Sequence, residues 1–121
     1  MTEIQTKRVY ADPDGSAAAD GFRIFVDRLW PRGESKQEFH YDLWAKDAAP
    51  STALREWYHQ DREDRWPEFQ KKYRAELASN PAIPELLSEI RRHPLVTILY
   101  GSKDPVHNQA VILADYLREH L

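Results

Sequence analysis

The chain has no cysteine among its 121 residues. That excludes a disulfide framework, a thiolate metal site and a cysteine nucleophile. It also lacks long apolar runs. None approaches the ~20 residues of a membrane span, and the first residues carry no apolar signal-peptide core, so a cytoplasmic protein that stays out of the membrane is expected. Glycine is scarce, with four residues, and no GxGxxG, Walker or GxSxG pattern occurs. The histidines are dispersed. His59, Asp61 and Glu63 alternate within a charged connection, and no further ligand recurs beside them, so neither a metal nor a cofactor is expected. Positive charge is not in excess either. The 17 basic and 20 acidic residues give a net charge of -3, unlike a protein whose whole surface grips nucleic acid. The length suits one domain around a single core.

What the chain does have is concentrated in the run FRIFVDRLWPRG, Phe22 to Gly33. Its first half is β-branched and aromatic, bounded by Gly21 and Pro31, and reads as a strand. Alternation puts Phe25, Asp27 and Leu29 on one face and Ile24, Val26, Arg28 and Trp30 on the other. Apolar groups on both faces indicate an inner strand, so Asp27 and Arg28 need partners or a ligand at its exit. Pro31 ends the strand. Gly33 permits a positive φ that would let N–H groups converge on an anion.

Four separated motifs, VDRLWPRG, DLWAKDAAPS, WPEFQKKYRAEL and ILYGSKDPVHNQAVILADYL, follow one another in the order of a known family. The chain resembles the YeaO-like branch of the domain-of-unknown-function 488 family over nearly its whole length. The resemblance implies a small bacterial α/β domain and carries no assigned activity.

Residues 4–10 form a further expected strand, and residues 13–19, after the turn signal of Asp12 to Gly15, a mobile insertion. Ser35 is expected to cap one turn. Phe39 to Lys46 alternates as a third strand, with Phe39, Tyr41, Leu43 and Ala45 on one side. Ser51 caps a short helix bearing Leu54, Trp57 and Tyr58. The next helix is expected to start at Asp64, which keeps Pro67 in its first turn, because an interior proline costs ~3 kcal/mol. Its stripe is Trp66, Phe69, Tyr73 and Leu77, and Asn80-Pro81 ends it. A helix from about Pro84 to Arg92 follows. Leu95 to Tyr100, almost wholly apolar, reads as a central parallel strand. Asp104 then caps a last helix with Pro105 at its first position, and Val106, Ala110, Leu113, Ala114, Leu117 and Leu121 form its stripe. Strands interleaved with helices give a small single-domain α/β sandwich, its sheet mixed or mostly parallel, with the helical segment from Ser51 to Arg92 capping one face.

In such sheets ligands gather beyond the carboxyl ends of parallel strands. If the Phe22 and Leu95 strands are parallel neighbours, Arg28, Trp30, Arg32, Lys46, Tyr100, Ser102, Lys103 and Asn108 come together as a basic, aromatic-lined anion pocket. His107, at helix position N3, would be held neutral by the helix N-terminus. Three functions follow. The first is binding of a phosphate-bearing ligand, a nucleotide or a nucleic-acid end, by arginine and stacking tryptophan. The second is a hydrolase-type reaction with His107 as acid–base, Asp27 or Asp104 orienting it, and Arg28 and Lys103 stabilising developing charge. The third is a protein–protein surface of Trp44, Trp57 and Trp66.

Overall fold

The structure, a computed structural model, describes residues 2–15 and 19–121. Among them, four strands form one all-parallel sheet: β1 (Glu3–Arg8), β2 (Phe22–Phe25), β3 (Leu43–Trp44) and β4 (Leu95–Tyr100), in the order β1-β4-β2-β3. The Phe22 and Leu95 strands are parallel neighbours, with Phe22 opposite Val96 and Ile24 opposite Ile98. Between β3 and β4 the chain forms α1 (Thr52–His59), α2 (Arg62–Ser79) and α3 (Ala82–Ile90), and after β4 it forms α4 (Gln109–His120). Among the described residues no helix is long and apolar enough to cross a membrane.

Strand parity sorts the core. Even-numbered Ile4, Ile24, Val26, Val96, Ile98 and Tyr100 meet the apolar stripes of all four helices, including Phe69, Tyr73, Leu77, Leu113 and Leu117. Odd-numbered Phe25 and Leu99 meet Val9 and Phe39, with Tyr10, Trp30, Tyr41 and Trp44 packed around them. Among the described residues no α-helix contributes to that second cluster, and the 3-10 turn Val9–Ala11 and aromatic loops cover it. Apart from Leu95, the remaining odd positions of β1, β2 and β4 are polar. Gln5 donates to the Thr97 hydroxyl at 2.8 Å, and that hydroxyl donates to the Asp20 carbonyl at 2.7 Å.

Ser51 caps α1 as expected, its hydroxyl accepting from Leu54 N. Ser35 likewise accepts from Glu38 N at 3.1 Å. α2 starts earlier than expected, on Asp61, so Pro67 sits in the second turn and forgoes the bond to the Glu63 carbonyl. β3 is shorter than expected. The Asp42 carboxylate accepts from Arg23 N and Asp42 N donates to Arg23 O, both at 2.8 Å. The alternation shifts at this bridge, so Phe39 and Tyr41 join the aromatic cluster while Leu43 and Ala45 face the helices. The insertion expected over residues 13–19 lies partly, at residues 16–18, outside the described residues. Its described flanks are tied down: Pro13 O accepts from His40 N at 2.8 Å, and Gly15 N donates to Asp12 O at 3.1 Å.

The last helix also starts later than expected. Asp104 caps only a turn, accepting from Val106 N at 2.9 Å and His107 N at 3.0 Å. Asn108 is the true cap of α4, accepting from Val111 N at 3.1 Å. Val106 therefore leaves the apolar stripe and stands exposed, as does Leu121 at the other end.

Candidate anion site at the strand exits

The carboxyl ends of the four strands open into a cleft of about 440 Å³. Its walls come from the segments after β1 (Tyr10), β2 (Asp27 to Arg32), β3 (Ala49, Pro50) and β4 (Gly101 to Lys103). The α1–α2 junction supplies Arg55, Tyr58, His59 and Arg62, and the start of α4 supplies His107 to Gln109. This is where an open parallel sheet gathers ligands, because strand ends and helix starts converge there.

Arg28, Arg32, Arg55, Arg62 and Lys103 all line the cleft, and among the described residues Asp27 is the one carboxylate on its wall. Among the described residues none of these five cations forms an ion pair. Arg28 donates only to the Pro50 carbonyl at 3.3 Å. Arg62 donates to His59 Nδ1 at 2.8 Å. An arginine can only donate, so Nδ1 is the acceptor and the neutral ring carries its proton on Nε2. Partial burial first, then the nearby Arg62 and Arg55 charges, lower the His59 pKa and favour that neutral form.

Asp27 lies past the end of β2, where Val26 N still reaches Leu99 O at 3.2 Å. Its Oδ2 accepts from Gly101 N at 2.8 Å and its Oδ1 from the Gln109 side chain at 2.6 Å. Desolvation raises its pKa above the ordinary carboxylate value, against the lowering effect of these two bonds and of the Arg55 charge. A Cβ on residue 101 would come within 2.8 Å of Asp27 Oδ2, so any side chain there would have to displace that carboxylate.

The other residues picked out from the sequence divide. Trp30, Ser102 and His107 line the cleft with Arg28, Arg32 and Lys103. Trp30 is also an anchor. Its indole donates to Glu34 O at 2.6 Å, and its ring meets Phe39, Tyr41 and Trp44 edge-on at 5.4 to 5.8 Å. His107 is exposed, bonded through Nδ1 to Asp104 Oδ2 at 3.1 Å and set edge-on to Trp66. Because α4 begins after it, the helix N-terminus does not hold it at position N3. Asp104 stays beside His107 but off the cleft wall, and its pKa is lowered chiefly by the backbone N–H groups of His107 and Val106.

Two expected ligand residues lie off the cleft, and a third, Asn108 on its wall, is tied up in local bonds. Lys46 lies over the Trp44 ring at 5.2 Å, away from the cleft. Tyr100 is buried in the helix-side core. Asn108 is 3% exposed, and its amide is consumed by Val111 N and by Asp104 O at 2.8 Å. Gly33 does adopt a positive φ of 84°, but Glu34 N donates to Pro31 O within that turn and is not presented outward. The tryptophans do not form one surface. Trp44 belongs to the aromatic face, and Trp57 and Trp66 pack on the helical one.

The sequence reading missed Tyr10, Arg55, Tyr58, His59, Arg62 and Gln109. Part of a signal was present, since Arg55 and His59 recur at i, i+4 on α1, whereas Arg62 stands on α2 beyond its Asp61 cap. The Asp61–Arg65 charge run hid it.

The family model described as "Inactive DUF488-N3 subclade" matches residues 3–121. The chain belongs to this family. It is 43% identical over 115 residues to "Uncharacterized protein YeaO" of Escherichia coli K12, covering 95% of this chain and 96% of that protein. It is 38% identical over 116 residues to "Uncharacterized protein Rv3073c" of Mycobacterium tuberculosis H37Rv, covering 96% and 94%. A Mycobacterium bovis relative, "Uncharacterized protein Mb3100c", matches to the same extent. No solved structure matches the chain.

Proposed function

We propose that this protein binds a phosphate-bearing ligand, a nucleotide or the end of a nucleic-acid strand, in the strand-exit cleft, and does so in the cytoplasm. The observation that carries the reading is the set of five cations that have no carboxylate partner among the described residues, on one cleft of a chain with net charge -3. Like charges crowded together repel, and a phosphate relieves that repulsion while accepting charge-assisted, often bidentate, bonds from arginine. Tyr10 and Trp30 beside them offer aromatic surface to a base. Binding is preferred to turnover for two reasons. The family description reads "inactive", and His107 has lost the helix-terminus setting that would tune it as a base.

A titration of a labelled single strand and of a mononucleotide across a salt series tests this. A strand tracked along the surface neutralises several charges, with a slope of ~0.7 per phosphate contacted. A shallow slope and a preference for the mononucleotide are expected. Tight oligonucleotide binding with a slope implying several contacts would replace the small-ligand reading with a strand-binding one. Absence of binding to either would end both. His107→Gln should leave binding nearly intact, since glutamine still hydrogen-bonds.

A further inference from the structure

The cleft holds its one carboxylate apart from its cations. Asp27 has five cationic neighbours on the same walls, yet none approaches to ion-pair distance. The two bonds it accepts come from neutral donors, Gly101 N and the Gln109 amide. The chain commits a glycine to this arrangement, because any side chain at position 101 would press on Oδ2. Each carboxylate oxygen has a second lone pair, and Asp27 lies on the cleft wall. A ligand that filled the cleft with phosphate alone would set its own negative charge against this carboxylate. A ligand that carries hydroxyl or amino groups next to its phosphate would satisfy both poles.

Resting on the anion reading above, we propose that the cleft selects a phosphorylated sugar, free or within a nucleotide, with its phosphate on the arginines and its hydroxyl groups donating to Asp27. The desolvated state of the carboxylate strengthens the case, since a partly buried acceptor gains more from a ligand donor than one already in water. The geometry also assigns Gln109 and Gly101 a positioning role: they aim Asp27 and leave its outer lone pairs open.

The test is binding of four ligands at one ionic strength: inorganic phosphate, ribose 5-phosphate, adenosine monophosphate and its 2′,3′-dideoxy analogue. The proteins are the unaltered chain, Asp27→Asn and Gly101→Ala. Asparagine keeps the shape and still accepts from Gly101 N, and alanine at 101 displaces the carboxylate without removing it. Ribose 5-phosphate and adenosine monophosphate should bind the unaltered chain about tenfold or more tightly than phosphate and the dideoxy analogue. Both variants should erase that preference, and Asp27→Asn should bind inorganic phosphate at least as well as the unaltered chain. Equal binding of ribose 5-phosphate and phosphate by the unaltered chain overturns the proposal, with the anion reading left standing. So does a parallel change for all four ligands in Asp27→Asn. If adenosine monophosphate keeps its preference but ribose 5-phosphate has none, recognition runs through the base and the sugar proposal fails. Failure of the unaltered chain to bind any of the four overturns the anion reading itself.

Discussion

Arg23 and Arg28 stand five residues apart on one stretch of chain, and the fold treats them in opposite ways. Arg23, 2% exposed, enters β2 with its guanidinium fully engaged. It pairs with Asp20 at 2.5 Å and donates to the carbonyls of His40 at 2.9 Å, Asp12 at 2.9 Å and Pro13 at 3.2 Å. Lys7 adds ion pairs to Asp12 and Asp20, both at 3.2 Å. Among the described residues Arg28, past the exit of the same strand, meets one carbonyl and no carboxylate, and the four further cations on its cleft form no ion pair either. The face of the sheet away from the helices closes its positive charge within the chain, and the carboxyl end leaves it open. A buried charge must be paired for the fold to form, whereas a cleft charge without a partner marks a place where something else can pair with it.

The largest effect that would sharpen this contrast lies at Arg23. Arg23→Leu leaves Asp20 and three carbonyls short of a donor and should cost about 3–5 kcal/mol in denaturant unfolding. A loss below ~1 kcal/mol would mean that the network is not what holds this face of the sheet. Next comes the open end. Arg55→Ala and Arg62→Ala should each weaken binding of a nucleoside monophosphate about tenfold, while shifting unfolding free energy by less than ~0.5 kcal/mol. Lys46→Ala, on a cation that lies over Trp44, should change neither.

A smaller effect is expected at Asp27. Its folded pKa is raised, so the stability it contributes is fully present below the unfolded carboxylate pKa and is lost as pH rises through the folded value. Asp27→Asn should therefore raise Tm near pH 7, with the advantage fading below about pH 4, where the carboxyl is protonated in both states. The charge that acts on this carboxyl is Arg55, which lowers its pKa against the effect of burial. A destabilised Asn variant at neutral pH would mean that the cation field outweighs desolvation. A stabilised one would show a residue kept at a cost to the fold, as binding sites often are.

The sheet was largely legible in the sequence, and the site only in part, for reasons that lie in particular residues. β4 was readable to its ends because a β-branched apolar run stands between Pro94 and Gly101. The cleft walls after β2 and β4 followed from the parallel pairing of those strands. Helix starts were harder. Asp104-Pro105 has the composition of a cap, but the Asp104 carboxylate spends itself on a local turn and Asn108 takes the helix. That shift of four residues moved His107 off the helix and made Asn108 its cap. Arg55 and Arg62 escaped notice because their convergence depends on how α1 and α2 fold back over the sheet, which local pattern does not encode. The paired role of Arg23 was hidden for the same reason, since two of its partners lie at Asp12 and His40.

The most direct test of the contrast is anion-dependent stability. Thermal unfolding of the unaltered chain and of the Arg55→Ala/Arg62→Ala variant would be followed with rising adenosine monophosphate, ionic strength being held constant with chloride. A ligand that binds only the folded state raises stability by RT ln(1 + [L]/Kd). The account predicts that Tm climbs steadily with the nucleotide for the unaltered chain and stays nearly flat for the variant. Equal shifts in both proteins, or none in either, would contradict the claim that these cations are held open for an anion.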